Sequence, residues 1–285
     1  MVAVPTPLRV CGIADEGARS LVDQLDLHAQ LGLTAIEVRS IDGLLLHELD
    51  AQGMDRVAGL IERHGFEVPV VDTPIGGWAT SLVTPFTDEL DLLNAYIQRA
   101  RRLGCSRLRV MSYPNDGRSD QDWRREALRR VGALVTVAGR HGVTLLHENC
   151  AGWAARRAEA IVDMLHTIAD EHLRVLFDAG NGLAYGYDAL AMLHEVRPWV
   201  DHVHIKDGQV RGEGEVTWVL PGDGSLNLPE IVKVLRSGGY SGWYSLEPHV
   251  AHVPHLRRSS PAEELAASYT AAVTGFRTLV AATAT

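Results

Sequence analysis

The sequence predicts a single (β/α)₈ barrel spanning residues 1–285 as one domain. Three observations carry that reading. Short apolar runs rich in β-branched residues alternate with longer helical patterns eight times from end to end. The 285 residues suit one barrel, which typically takes about 250. After the first run stands Ala14-Asp15-Glu16-Gly17, not the glycine-rich phosphate loop with which an open, doubly wound sheet often announces itself.

The strands are expected at 8–13 (LRVCGI), 34–39 (TAIEVR), 66–72 (FEVPVVD), 106–112 (SRLRVMS), 143–148 (VTLLHE), 173–178 (LRVLFD), 200–206 (VDHVHIK) and 242–247 (GWYSLE). Between and after them, apolar residues recur at three- and four-residue spacing over 16–31, 52–64, 87–103, 122–141, 157–170, 187–197, 228–238 and 261–282. Several of these helices stop at a glycine just before the next strand, as at Gly65 and Gly142. Asn227 and Ser260 stand as N-caps of the last two. The longer loops, 73–86, 113–121, 149–156 and 207–226, each follow a strand. They therefore gather at the C-terminal face of the barrel, where barrel enzymes keep their sites.

Bulk properties bound the function. Apolar residues make up 46% and charged residues 22%, ordinary for a soluble globular protein, and the net charge of −9 argues against a nucleic-acid partner. Cys11, Cys105 and Cys150 are far apart and form no CxxC pair, which reads as reduced thiols in a cytoplasmic protein. No signal peptide and no membrane span are expected.

Four successive strands end in an acid or a histidine: Glu148, Asp178, His204 and Glu247. In a barrel these ends converge on one rim. Three carboxylates meeting there repel one another unless a cation neutralises them. With one imidazole beside them, they suit a single divalent ion, Mn²⁺ first, with Mg²⁺, Co²⁺ and Zn²⁺ compatible.

The chain resembles the xylose isomerase-like TIM barrels, the sugar phosphate isomerase/epimerase superfamily. The resemblance rests on LLHEN (145–149), FDAGN (177–181), HVHIKD (202–207) and PGDGSLNLPEIVKVLRSGGYSGWYSLEPH (221–249), with a weaker match at GLTAIEVR (32–39). It implies a metal on Glu148, Asp178, His204 and Glu247, and Glu148 and Glu247 as an acid/base pair. The chemistry agrees: moving a proton next to a carbonyl needs a base, while a Lewis acid stabilises the enediolate that forms. The resemblance also places Glu37 at an acidic position that binds substrate; a pairing with Arg39 or Arg109 is the alternative. Lys206, two residues beyond His204 on the same strand face, reaches toward substrate oxygens or pairs with Asp207. His249 and the rim residue Trp78 line the mouth, and Trp153 and Trp218 are further stacking candidates. Asn181 stands where several ketose epimerases of the family carry a histidine, and it offers a hydrogen bond to a hydroxyl rather than acid/base chemistry. His147 points away from Glu148 by strand alternation, as a buried histidine with a backbone partner.

The expected function is a metal-dependent isomerase or epimerase of a sugar or polyol ketone. An inosose-type dehydratase using the same site is the alternative, since the HIKD segment also occurs in inosose dehydratases. A metal-dependent nuclease fits less well, because Asp72 and Met111 stand at strand ends where the repair endonuclease relative has histidines. A non-catalytic barrel is disfavoured by the intact quartet. The expected partner is a small sugar or polyol, with neither nucleic acid nor membrane; a homo-oligomer is compatible with the sequence.

Overall fold

The computed structural model describes residues 8–212, 215–253 and 258–282. Seven strands form one parallel sheet: β1 (Arg9–Gly12), β2 (Val71–Asp72), β3 (Arg107–Ser112), β4 (Thr144–Gly152), β5 (Leu173–Asp178), β6 (Val200–Ile205) and β7 (Trp243–Leu246). Their order is β1-β7-β6-β5-β4-β3-β2. The gap between β2 and β1 is filled by residues 34–38, expected as the second strand. They make isolated parallel bridges, Ile13 with Glu37 on one side and Ala35 with Glu67 and Val38 with Val71 on the other. The bonds from Glu37 N–H to Gly12 O (3.0 Å) and from Asp72 N–H to Val38 O (2.8 Å) join the two edges. The fold is the (β/α)₈ barrel.

Helices pack outside the sheet, close to the expected spans: α1 (Leu21–Gln30), α2 (Ala51–His64), α3 (Phe86–Arg102), α4 (Asp120–Arg140), α5 (Ala158–Ile168), α6 (Asn181–Tyr185), α7 (Ala189–Val196), α8 (Leu228–Ser237) and α9 (Ala262–Ala281). Gly65 takes the left-handed backbone (φ 70°) that ends α2. Helix α1 starts later than expected. Ser20 caps it, while Asp15 and Glu16 sit in a short 3-10 turn with their carboxylates turned toward Arg39. Asn227 caps α8 as expected. Ser260 does not cap α9: Pro261 holds the cap position without a side-chain bond, and the Ser260 N–H is committed to Ala251 O. No helix among the described residues is long and apolar enough to cross a membrane.

Strand alternation sorts the barrel interior into layers. Trp243 packs with Cys11 and Ala35, and Val70 with Leu146 and Leu176. At the N-terminal end Arg9 lies over the Trp243 ring, 4.1 Å from its centroid, and bonds Glu67. The next inward positions are largely polar. They include Glu37, Asp72, Glu148, Asp178, His202, His204 and Glu247, all buried.

His147 faces the opposite way from Glu148, and neither ring nitrogen has a hydrogen-bond partner among the described residues. The backbone partner expected for it is absent. Burial pushes this imidazole down to about 3, and burial likewise pushes His28 down to about 4 although Ala35 O supports the charged form. Above pH 6.5 both are neutral, folded or unfolded. Below it the unfolded chain takes up protons that the folded chain refuses, so stability falls with pH until about 4 for His28 and 3 for His147. Each should cost about 2 kcal/mol between pH 7 and pH 5. Urea midpoints at the two pH values should differ less in His147→Leu than in the parent; an identical difference would remove His147 from the acid sensitivity.

Candidate metal centre and cavity

The quartet forms because β4 to β7 are adjacent and in register. Asp178 stands directly opposite His204, and His204 opposite Ser245, two residues before Glu247. Asn149, immediately after Glu148, locks the two strand ends together. Its amide donates to Asp178 O (2.9 Å) and its side-chain carbonyl accepts the Asp178 N–H (2.7 Å). The next turn then fixes the Asp178 carboxylate: Oδ1 accepts the N–H groups of Gly180 and Asn181, each at 2.8 Å. Oδ2 is left buried and without a hydrogen bond.

His204 is fixed from behind. Its Nε2 lies 2.9 Å from Glu37 Oε1, and the other Glu37 oxygen lies 2.8 Å from His202 Nε2. His204 Nδ1 therefore turns toward the carboxylates, at 3.5 Å from Glu247 Oε2, 3.7 Å from Asp178 Oδ2 and 3.9 Å from Glu148 Oε1, and it makes no hydrogen bond. One donor atom from each of Glu148, Asp178, His204 and Glu247 lies within 4.8 Å of the others. Donors bound at roughly 2.0–2.6 Å stand about this far apart. An unbonded, buried His204 Nδ1 facing three carboxylates is what one divalent cation satisfies.

The surroundings supply cations. Glu247 accepts from Arg39 Nη1 at Oε1 (2.9 Å) and from Lys206 Nζ at Oε2 (2.8 Å). Lys206 Nζ also lies 2.8 Å from Asp178 Oδ2. Glu148 accepts from Arg109 Nη1 at Oε2 and from the Asn181 amide at Oε1, both at 3.1 Å. Burial would raise the Glu247 carboxyl, but the Lys206 charge, with His249 and His204, holds it well below the carboxylate range. Burial would lower His204, but Glu37, Asp178 and Glu247 hold it well above the usual imidazole value.

The quartet opens into a cavity of about 670 Å³. Lys206, Asn181, His249 and Trp78, singled out from the sequence, all line it, together with Glu148 and Glu247. Glu37 does not. It is buried beneath His202 and His204, so the geometry makes it a support for the imidazole rather than a substrate contact. His249 is held by Glu16, which accepts both its N–H (2.7 Å) and a ring nitrogen contact (2.8 Å), at a left-handed φ of 57°. Arg39 and Arg109 line the cavity and were legible only as ion-pair partners in the sequence. Their inward direction follows from period two: Arg39 lies two residues beyond Glu37, and Arg109 stands opposite the inward Leu146.

Lys206 does not pair with Asp207. That carboxylate is enclosed by the PGDG loop: Oδ1 accepts the N–H groups of Gly208 and Leu226, and Oδ2 those of Gly222 and Gly224. A Cβ at Gly224 would meet Asp207 Oδ1 at 1.9 Å. The loop's donors are thus spent on the chain's own carboxylate, not on a phosphate.

Comparison with known proteins agrees with this architecture. A family model described as xylose isomerase-like TIM barrel matches residues 25–271. An inosose dehydratase of Klebsiella pneumoniae subsp. pneumoniae is 28% identical over 60% of this chain and 64% of its own length. The rhizopine catabolism protein MocC of Rhizobium meliloti is 31% identical over 52% of this chain and 50% of its own. The match therefore spans less than two thirds of either relative. Among solved structures, the IolI protein with a bound zinc atom superposes with a TM-score of 0.78 at 17% identity, covering 96% of this chain and 98% of that one.

Metal affinity should rise with pH through the neutral range, because His204 must shed a proton before Nδ1 can coordinate. Titration of Mn²⁺ in buffers of different ionisation enthalpy should register that proton. Glu37→Gln should weaken Mn²⁺ binding about 10–100-fold, and Asp178→Asn more than Lys206→Ala. Affinity that ignores pH and survives Glu37→Gln would overturn the ligand role of His204.

Proposed function

The chain belongs to the xylose isomerase-like TIM barrel family, and on that premise we propose that it is a metal-dependent lyase removing water from a cyclic polyol ketone, as inosose dehydratases do. The observation that carries this is the inequality of the two glutamates. Both Glu247 oxygens are held by cations, Arg39 and Lys206, whereas Glu148 has one cationic partner, Arg109, and the neutral Asn181 amide. Inverting one carbon calls for two carboxylates that exchange acid and base roles. A carboxylate pinned between an arginine and a lysine is a poor proton acceptor. In this reading Glu148 acts as base and Lys206 as hydrogen-bond donor to the leaving hydroxyl, in place of the Glu148–Glu247 acid/base pair expected from the sequence, with Glu247 as ligand and anchor of Lys206.

Glu148, Asp178, His204 and Glu247 would hold the ion, Mn²⁺ by the donor set, with Zn²⁺, which IolI holds, as the alternative. When bound, the ion supplies Lewis-acid stabilisation of negative charge on the carbonyl oxygen. Glu148 takes the proton from the carbon beside the carbonyl, and the electrons of that C–H bond shift toward the carbonyl oxygen as an enolate forms. The carbonyl then re-forms and a C=C bond is made as the C–O bond of the neighbouring carbon breaks; Lys206, held firmly protonated by Asp178, Glu247 and Glu148, donates a hydrogen bond to the departing hydroxyl, which takes a proton from solvent and leaves as water. Solvent then removes the proton on Glu148. The relatives named inosose dehydratase support the reaction class. The isomerase or epimerase reading shares the first step, and it is favoured by one fact, that Glu247 as well as Glu148 lines the cavity.

The product separates the two. An inosose incubated with the Mn²⁺-loaded protein in deuterated water should yield a product lighter by one water; epimerisation would leave the mass unchanged apart from the label. Glu148→Gln, compared at saturating Mn²⁺ because Glu148 is also a proposed ligand, should lose on the order of 10²–10⁴-fold in turnover. Near-normal turnover in a metal-replete Glu148→Gln variant would dismiss it as the base.

A further inference from the structure

The cavity is two-faced. Its floor holds the charged groups, and these are already engaged with one another: Arg39 with Asp15, Glu16 and Glu247, Arg109 with Glu148 and Thr73, Lys206 with Glu247. Toward the rim the lining turns to carbon, from Leu45, Pro74, Trp78, Met111, Tyr185 and Trp218. A bare polyol ring would bring hydroxyls against a wall that offers few partners, and each unmet hydroxyl loses its bond to water.

Trp78 is the most exposed part of this wall, at 54%. Single exposed apolar residues are common, but this one stands on a segment braced by a buried ionic scaffold. Arg130, itself buried, donates to Leu82 O (2.7 Å) and Thr84 O (2.9 Å) and bonds Glu89 (3.1 Å). Glu89 in turn accepts from Tyr113 OH (2.9 Å) and from the Gly76 N–H (3.3 Å). The segment 73–86 is thus clamped at both ends around Trp78. Across the site, Trp218 stands with its ring 5.5 Å from Lys206 Nζ and edge-on to His249, so it adjoins the proposed reaction centre. Aromatic rings on a braced segment and beside a charged floor make a seat for a ligand with one polar and one apolar end.

We propose that the substrate is a polyhydroxylated ring ketone bearing an apolar substituent, aryl or alkyl, which packs against Trp78 and Trp218 while the ring meets the charged floor. This builds on the polyol-ketone reading above and adds the second half of the molecule. It can be tested by binding alone, with the full Mn²⁺-loaded chain and two unreactive probes, methyl and phenyl β-D-glucopyranoside, in calorimetry. The phenyl probe should bind at least about tenfold more tightly, the order expected of one aromatic contact plus its buried area. In the Trp78→Ala, Trp218→Ala double variant that ratio should fall toward one, with metal content and melting temperature retained. Equal affinities in the parent, a ratio that survives the double substitution, or no binding of either probe would each overturn the proposal. The readout needs no turnover: water loss from an inosose together with a ratio of one would leave the dehydratase reading standing and remove this one.

Discussion

Everything at the mouth of this barrel answers one constraint: three carboxylates and an imidazole are forced into one another's first few ångströms, out of water. Their mutual repulsion and desolvation must be offset inside the fold. The response is a ring of fixed cations. Arg39 reaches Glu247 and the Asp15–Glu16 turn, Arg109 bridges β3 to Glu148, and Lys206 sits between Asp178 and Glu247. Even so, His204 Nδ1 stays without a hydrogen bond. The protein side chains thus neutralise most of the charge and leave one point at which all four donors face inward.

The support behind the quartet is as specific as the quartet. Glu37 uses one oxygen for His204 and the other for His202, so two histidines from one strand share one carboxylate from across the barrel. Such a partner fixes the ring orientation and raises the basicity of the nitrogen that faces the metal side. Asn149 and the turn at Gly180–Asn181 do the same for Asp178 by backbone bonds. Asp207, with four backbone donors closed around it, anchors the loop that follows Lys206. A phosphate-like nest filled by the chain's own carboxylate also explains why the glycines of PGDG carry no ligand argument.

Charge placement then bears on the proposed chemistry. A site in which both glutamates had equal surroundings would suit reversible proton exchange on two faces. Here the partners differ in charge, and the difference is built into the scaffold: Arg39 is tied to the N-terminal turn and Lys206 to the end of β6. Changing the balance would require moving barrel strands, not rotating one side chain.

Much of this was legible in the sequence. Period-two alternation, eight repeats and an acid or histidine at four successive strand ends determined the barrel, the inward direction of Glu148, Asp178, His204 and Glu247, and their convergence, because strand geometry leaves those side chains no other face. The same rule turned His147 outward. What it left undecided were relations across the barrel. Glu37 reads as a rim acid, yet its carboxylate is consumed by His202 and His204, two residues some 165 positions away in sequence. Lys206 could have paired with its neighbour Asp207 and instead serves Asp178 and Glu247, because Asp207 is claimed by glycines 15 and 17 residues further on. Ser260 matches a cap pattern, yet its N–H is committed to Ala251. Local pattern determines which way a side chain points; which partner it meets is settled by distance in space, and that exists only once the barrel has closed.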